Sequence, residues 1–404
     1  MRILHTSDWH LGKSLEGYSR LEEQELFLED FIEVVEKNDI DLVIIAGDIY
    51  DNSNPPARAE NLFYKALNRI SQGGKRGILI ISGNHDNPER LVAANPLAKE
   101  QGIIMVGLPK SVVPVGNYGE MEVIDSCEGC IEIKIKDEKA VIITLPYPSE
   151  KRLNEIISDN QEDELRRRDY SDKVGEILEN LSCKFRDDTI NIIVSHLFIR
   201  GGEGSDSERP IELGGTLAVD INKFPKNAQY AALGHLHKPQ RVKGRDYPVY
   251  YSGSPLQYSK SEINYAKCLY IVDVKPKKEA NIETIMINTY KPIEIWKCSG
   301  IEEAIKKCEE NSSREVWVYL EITMDTFLSQ EDIKTLRELK KDIVEIKPKI
   351  KSEVEEEIAF ESLKEKSMDE IFKEFYINQR GVEPESEVMD LFLSIIQGDE
   401  EDEA

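Results

Sequence analysis

No run of about 18 consecutive apolar residues occurs in this 404-residue chain, so no membrane-crossing helix is expected. The first residues, Met1-Arg2-Ile3-Leu4-His5, lack the apolar core and cleavage site of a secretory signal. Cysteine is sparse, with six residues at 127, 130, 183, 268, 298 and 308. Scattered usage of this kind suits a reducing, cytoplasmic setting. Only Cys127-Glu128-Gly129-Cys130 is tightly spaced. A lone pair lacks the second half of a structural zinc site, and β-rich flanks make Glu128-Gly129 a hairpin turn. A Walker A pattern is missing too, so no nucleotide is expected to bind this chain itself.

Positive charge is also short: 52 Lys and Arg against 77 Asp and Glu leave a net charge of −25. Residues 351–404 carry 18 acidic and 5 basic side chains, so −13 sits there and −12 on residues 1–350. Such a chain is a poor generic nucleic-acid binder. Any DNA contact has to come from a local basic surface, a bound metal or a partner.

Apolar residues make up 40% of the chain, enough for a real core, and the length suggests two or three domains. Residues 1–107 alternate strand and helix. Leu28, Phe31, Ile32 and Val35 form one helical stripe, Leu62, Phe63, Ala66, Leu67 and Ile70 a second, and a third helix is expected over 88–100. Residues 103–145 read as strands. Residues 150–185 read as mostly helical, with Arg166-Arg167-Arg168 on a solvated face, and 189–290 return to strands. This order predicts an α/β fold, two sheets flanked by helices. A boundary is expected at Tyr290-Lys291-Pro292. A small α/β unit follows over 291–350, then two short amphipathic helices within 358–398 and an acidic tail at 399–404. Ile371, Phe372, Phe375 and Tyr376 lie on the first helical stripe, and Leu391, Phe392 and Ile395 on the second. Helices this short make a poor core alone, so they either pack on their own domain or offer an apolar face to a partner.

Histidine is rare as well, and its placement is the sharpest signal. Five of the six histidines follow apolar runs, at Asp8-Trp9-His10, Asn84-His85-Asp86, Ser195-His196 and His235-Leu236-His237, with Gly47-Asp48 ending another run. Ligands of open α/β sheets collect just past the carboxyl ends of strands. Imidazole and carboxylate donors without thiolate suit Mn²⁺, Fe²⁺ or Zn²⁺. The seven donors Asp8, His10, Asp48, Asn84, His196, His235 and His237 are too many for one ion and fit two, with the Asp48 carboxylate as a natural bridge. Two such ions activate a water and clamp phosphoryl oxygens. His85 is placed to assist the leaving group, with Asp86 holding its ring. His5, inside the first strand, is expected in the core, and Trp9 is expected to pack. Lys238, Arg241, Lys243 and Arg245 are the first candidates for DNA phosphate contacts; Arg58 and Arg90 are weaker ones.

This five-part pattern resembles the calcineurin-like metallophosphoesterases. The stretches His5 to Gly12, Asn54 to Pro56, Ser205 to Arg209, Ala232 to Gln240 and Tyr251 to Pro255 are similar to a DNA-nuclease branch of that superfamily. The resemblance implies a four-layer αββα sandwich, a small α/β capping domain and a carboxyl-terminal helix-loop-helix that docks on an SMC-like ATPase. It also implies two Mn²⁺ ions, one on Asp8, His10, Asp48 and His237, the other on Asp48, Asn84, His196 and His235. The implied activity is 3′–5′ exonucleolytic on duplex ends and endonucleolytic on hairpins and single strands. The implied setting is DNA repair, replication and recombination in the cytoplasm, at the nucleoid. The implied assembly is a heterotetramer of two ATPase and two nuclease subunits, the latter as a homodimer. Relatives often carry a histidine three residues after the bridging aspartate; this chain has Asp51 there, and no role is transferred to it. The alternatives are a phosphoesterase acting on small phosphodiesters or phosphoproteins, and a non-catalytic scaffold.

Overall fold

The computed structural model describes residues 1–154, 163–208, 217–324 and 328–350, together with Phe372, Lys373, Tyr376, Pro384, Val388, Met389 and Phe392. Strands β1 (Arg2–Thr6), β2 (Leu42–Ala46), β3 (Gly77–Ile81) and β4 (Ile103–Val106) are apolar on both faces and almost wholly buried. Continuous rather than alternating hydrophobicity marks a parallel sheet covered on both sides, and the four pair in parallel in that order. Helix α1 (Leu21–Lys37) buries Phe27, Leu28, Phe31, Ile32 and Val35; α2 (Ala57–Ser71) buries Leu62, Phe63, Ala66, Leu67 and Ile70. The third helix differs from expectation. It is broken into α3 (Pro88–Val92) and α4 (Asn95–Ala98), because Pro96 offers no backbone N–H to continue the first.

Strands β5 (Gly116–Tyr118), β6 (Met121–Cys127), β7 (Cys130–Ile135) and β8 (Glu138–Leu145) form an antiparallel meander. Its second hairpin closes at Cys127 and Cys130, with Gly129 at φ +75°, and both thiols are free. After α5 (Glu150–Leu153) and α6 (Asp163–Ser182), strands β9 (Ile190–His196) and β10 (Tyr230–Gly234) join β8 in parallel. Arg168 on α6 is exposed; the side chains of Arg166 and Arg167 lie outside the described ones. The edge is completed by β11 (Gln240–Val242) and β12 (Val249–Tyr251). The chain then returns to the first sheet as β13 (Cys268–Asp273), antiparallel to β1, and β14 (Asn281–Met286). The result is a six-stranded sheet, β14-β13-β1-β2-β3-β4, and an eight-stranded one, β11-β12-β10-β9-β8-β7-β6-β5.

Alternate side chains sort these strands into layers. Ile3, Ile44 and Ile81 of the first sheet share a core with Ile133, Ile142 and Val194 of the second. The opposite faces pack outward: Val43, Ile45 and Ile80 on the α1 and α2 residues Phe31 and Phe63, and Ile143, Ile193 and Leu233 on the α6 residues Tyr170, Val174 and Leu178. This is the four-layer αββα sandwich. It sets the ends of β1, β2, β3, β9 and β10 at one place.

Contacts divide the chain into two compact units, Met1–Ile295 with Arg314–Tyr319, and Trp296–Ser313 with Leu320–Ala404. A three-stranded sheet runs in the order β15 (Ile293–Ser299), β16 (Trp317–Met324), β17 (Ile343–Ile350), with helices α7 (Ile301–Glu310) and α8 (Gln330–Leu339). Of the two terminal stripes, Phe372 and Phe392 stack with ring centroids 3.7 Å apart, and Tyr376 lies 6.0 Å from Phe372. Ile371, Phe375, Leu391 and Ile395 lie outside the described residues. Among the described residues no helix is long and apolar enough to cross a membrane.

Candidate metal centre

Four of the seven predicted donors sit on left-handed backbone: Asp8 at φ 54°, His10 at 45°, Asp48 at 50° and His235 at 108°. Non-glycine residues hold such conformations at a cost of about 1–3 kcal/mol each, and the surroundings must enforce them. Here the loops after β1 and β2 lock together. Asp8 N–H donates to Gly47 O at 3.0 Å, and His10 N–H to Asp48 O at 3.0 Å. Gly47, at φ +92°, makes room for the opposite sheet: a Cβ there would lie 2.3 Å from His196 Nδ1.

The structure brings the seven candidate donors together. His10 Nε2 and His237 Nε2 are 2.9 Å apart. Asn84 Oδ1 lies 2.9 Å from His196 Nε2 and 3.1 Å from His235 Nδ1. Asp48 Oδ2 faces both groups, 3.7 Å from His10 Nε2 and 3.4 Å from His196 Nε2. Asp8, His10 and His237 form one metal-competent cluster; Asp48, His196 and His235 form another. A third groups His10 and His85 with Asp51, whose carboxylate also pairs with Lys13 at 3.0 Å.

Hydrogen bonds fix which atoms face inward. His196 Nδ1–H donates to Ala46 O at 2.8 Å, which leaves Nε2 for the centre. The Asp8 carboxylate accepts from His235 N–H at 3.0 and 3.1 Å and from Ser7 Oγ–H at 2.5 Å, and Ser7 also meets Ser252 Oγ at 2.7 Å.

The electrostatics ask for cations. Burial pushes the Asp8 carboxyl up to about 7. Burial pulls on Asp48 the same way, but His196, His85 and His10 outweigh it and hold that carboxyl well below the usual range. For His196 burial works against the charged ring, yet the charge of Asp48 and its hydrogen bond raise it to about 9. Burial, aided by His196, drives His235 down to about 3, so it stays a neutral donor. Buried His10 is held low as well, and its Nδ1 has no hydrogen-bond partner. Protons on Asp8 and His196 thus do what a divalent cation would do. Imidazole, carboxylate and amide oxygen are the donor mix for such an ion.

His85 Nδ1–H donates to the backbone carbonyl of Asp51 at 2.6 Å, and Nε2 stands 4.0 Å from Asp48 Oδ2. The hydrogen bonds of Asp86 correct its expected role. Its carboxylate accepts from the backbone N–H groups of Ile49 (3.2 Å), Tyr50 (3.0 Å) and Gly83 (2.9 Å). It ties the loop after β2 to the loop after β3, while the ring hydrogen bond goes to Asp51. His5 and Trp9 are core residues. His5 bonds Tyr230 Oη and Leu233 O, and Trp9 packs edge-on against Phe27, Phe31 and Phe63.

Most of the cationic candidates already have partners. Lys238 pairs with Glu203, Arg58 with Glu25 at 3.7 Å, and Arg90 with Glu60 at 3.0 Å. Arg245 donates to Asn222 O. Arg241 and Lys243 are exposed and form no ion pair among the described residues. Arg241 borders a cavity of about 550 Å³ together with Arg186, Lys226, Lys277 and Lys278.

Several further residues surround the centre; of these only Ser207 and Glu208, within Ser205 to Arg209, lay in a stretch the sequence singled out. Arg152, on α5, donates to Gly83 O at 2.6 Å and Asp86 O at 2.7 Å, clamping the loop that bears Asn84 and His85. Glu208, Ser207, Glu262 and Lys267 surround His237.

Residues 1–239 match the family described as calcineurin-like phosphoesterase, and residues 289–380 match one described as type 5 capsule protein repressor C-terminal domain. The SbcD component of the SbcCD nuclease of Bacillus subtilis is 41% identical over 406 residues, covering 100% of both chains. Its namesake from Staphylococcus epidermidis is 32% identical over 77% of each chain. Among solved structures, GAP50, the anchor in the inner membrane complex of Plasmodium, covers 87% of this chain and 98% of its own at 14% identity, with a TM-score of 0.38. A converging set of imidazole and carboxylate donors at the strand ends of an αββα sandwich, with the family match over residues 1–239 and the two SbcD relatives, shows that the chain belongs to the calcineurin-like phosphoesterases and, among them, to the SbcD nuclease family.

Proposed function

We propose that this chain is the metal-dependent DNA nuclease subunit of an SbcCD-type complex, hydrolysing phosphodiesters at a centre of two ions, Mn²⁺ by preference. One observation carries this reading: Asp48 Oδ2 lies between His10 Nε2 and His196 Nε2, at 3.7 and 3.4 Å, where one carboxylate can serve two ions. Asp8, His10, Asp48 and His237 would hold one, and Asp48, Asn84, His196 and His235 the other. Bound there, such ions supply Lewis acidity and a water of lowered pKa.

The chain's own residues do the rest. The Asp51 carbonyl can only accept, so His85 Nδ1 carries a hydrogen and Nε2 faces the centre. As the imidazolium, His85 presents Nε2–H to the departing oxygen; afterwards the neutral ring takes a proton back from water. Asp86 and Arg152 keep the Asn84-His85 loop against Asp48 from either side.

The substrate reading is duplex ends for 3′–5′ degradation and hairpins or single strands for internal cuts. The partner is an SbcC-type, SMC-like ATPase that brings the ATP dependence and much of the DNA affinity, a division that suits a net charge of −25. Residues 358–398 are its docking segment, supported by the facing rings of Phe372 and Phe392. Residues 1–290 would be the nuclease domain and 291–350 the cap. Arg241 and Lys243 are the favoured phosphate contacts. A homodimer through the apolar surface around Leu97, which is 80% exposed, completes a heterotetramer acting at the nucleoid.

The deciding assay uses purified protein, Mn²⁺, and linear or hairpin duplex DNA, with Asp48→Asn as the control. Cleavage that a chelator abolishes and Mn²⁺ restores is the expected result. No cleavage with or without the ATPase and ATP, alongside rapid turnover of a small phosphodiester, would reverse the substrate assignment. Loss of residues 368–398 is expected to abolish ATPase binding and spare Mn²⁺-dependent hydrolysis of simple substrates.

A further inference from the structure

Glu262 is a fully buried carboxylate outside the donor set. It ends a single turn of 3₁₀ helix, Lys260–Glu262. Its Oε1 accepts from the Ser207 hydroxyl and from Tyr258 N–H at 3.2 Å, and lies 3.5 Å from His237 Nδ1. Its Oε2 accepts from Lys267 Nζ. Ser207 Oγ itself is 2.5 Å from His237 Nδ1. Lys267 also donates to His237 O at 2.9 Å and to Ser254 Oγ at 2.8 Å, and Glu208 accepts from His237 N–H at 2.7 Å. Both ends of His237 are therefore held by groups that the donor set does not include.

The hydrogens on this chain of contacts can be placed. Glu262, facing the Lys267 ammonium, has only lone pairs to offer. The Ser207 hydroxyl has one hydrogen and points it at Glu262 Oε1; its neighbour Ser205 Oγ, 2.9 Å away, has the Glu208 and Glu262 carboxylates at 2.9 and 3.3 Å to donate to, so towards His237 the Ser207 oxygen can only accept. His237 Nδ1 must then carry the hydrogen, and Nε2 keeps its lone pair, facing His10 Nε2 at 2.9 Å. Without the carboxylate, Ser207 is free to donate to Nδ1, which leaves the hydrogen on Nε2, the wrong atom for a metal ligand.

We propose that Glu262, acting through Ser207 and oriented by Lys267, is a positioning residue that locks His237 in the Nδ1–H tautomer and so makes Nε2 a metal donor. This rests on His237 being a ligand, as read above.

Glu262→Gln is the informative change. Lys267 would draw the amide oxygen to itself and turn the amide NH₂ towards Ser207, reversing the direction of donation. The test uses the full chain, with Mn²⁺ alone as the probe. Free Mn²⁺ is followed by electron paramagnetic resonance, and the His237 tautomer by ¹⁵N shifts of the histidine-labelled, metal-free protein, assigned from the signal missing in His237→Asn. Wild type is expected to show Nδ1–H. Glu262→Gln is expected to shift His237 towards Nε2–H and weaken Mn²⁺ by about 10- to 100-fold. Ser207→Ala lets Oε1 take the Nδ1 hydrogen directly, so its tautomer stays and its Mn²⁺ affinity remains within about threefold of wild type, short of the loss expected for Glu262→Gln.

A wild-type His237 in the Nε2–H form overturns the proposal, whether or not the variants fold. So does a Glu262→Gln protein whose tautomer is unchanged, since simple loss of a buried pair would leave it so. A tautomer that flips in Ser207→Ala but not in Glu262→Gln gives the role to the serine and overturns it too. Both readouts are taken without DNA. Failure of the wild type to cut DNA would remove the nuclease reading and leave this one standing.

Discussion

Gly83 and Asp48 touch so closely that a Cβ on Gly83 would lie 2.1 Å from Asp48 Oδ1 and 2.4 Å from its backbone nitrogen. Gly83→Ala is therefore expected to displace the carboxylate that faces both donor groups. Hydrolysis of a small phosphodiester should fall at least about 100-fold in kcat/KM, or about 2.7 kcal/mol, with Mn²⁺ binding weakened in parallel. Wild-type rate and affinity in this variant would mean that the Asp48 position does not matter to metal binding.

Asn84 and His85 are chain neighbours that should fail differently. Asn84 Oδ1 points at His196 and His235, so Asn84→Ala is expected to weaken metal binding about 10- to 100-fold. His85→Gln should leave metal content unchanged and lower kcat by about 10²- to 10⁴-fold. Metal titration beside steady-state kinetics separates the two; identical behaviour would dissolve the division of labour.

Arg152 holds two carbonyls of the loop between them, Gly83 O and Asp86 O, and its guanidinium lies 5.4 Å from the Tyr147 ring centre. Arg152→Ala is expected to cost about 2–3 kcal/mol in urea unfolding, the scale of a lost charged hydrogen bond. Arg152→Lys should recover little, because an ammonium cannot span both acceptors with a planar fork.

His5 makes stability pH-dependent away from the ions. Burial lowers its pKa from 6.5 to about 3, opposed by its hydrogen bond to the Leu233 carbonyl. The unfolded chain takes up a proton near pH 6.5 that the folded chain refuses. The stabilisation from neutral His5 is thus complete above that pH and lost as pH falls towards 3. At pH 5 the loss is about 2 kcal/mol. Urea unfolding of the chelator-treated protein at pH 7.5 and pH 5 should show this difference shrinking by that amount in His5→Gln. An identical pH difference in both proteins would assign the effect elsewhere.

Apolar runs of both-face strands followed at once by His, Asp or Asn made the centre readable before the fold was known, because strand direction alone brings those ends together. Asp8, His10, Asp48, Asn84, His196, His235 and His237 all arrive there. The helical stripes of α1 and α2 were legible for the same reason, a simple period. What was not legible depends on contacts between residues far apart in sequence. Arg152 sits in a one-turn helix with no motif, and reaches a loop 66 to 70 residues earlier. Glu262 and Lys267 look like any surface pair until the fold buries them under His237. Asp86 misled because adjacency suggested the ring of His85, whereas backbone N–H groups from another loop were the stronger claim. Sequence adjacency likewise gave no sign that Lys238, next to His237, pairs with Glu203.

The two-sheet origin of the donors has a consequence for how the protein comes into being. Asp8, His10, Asp48 and Asn84 follow strands of the first sheet; His196 ends a strand of the second, and His235 and His237 follow another. Neither sheet can bind as the whole does. The first sheet itself is closed only by β13, after the second has been synthesised. A metal ion held by donors from both sheets would therefore be captured late, by chains whose sheets have already docked face to face. An ion added during refolding should then stabilise the finished state without speeding its formation.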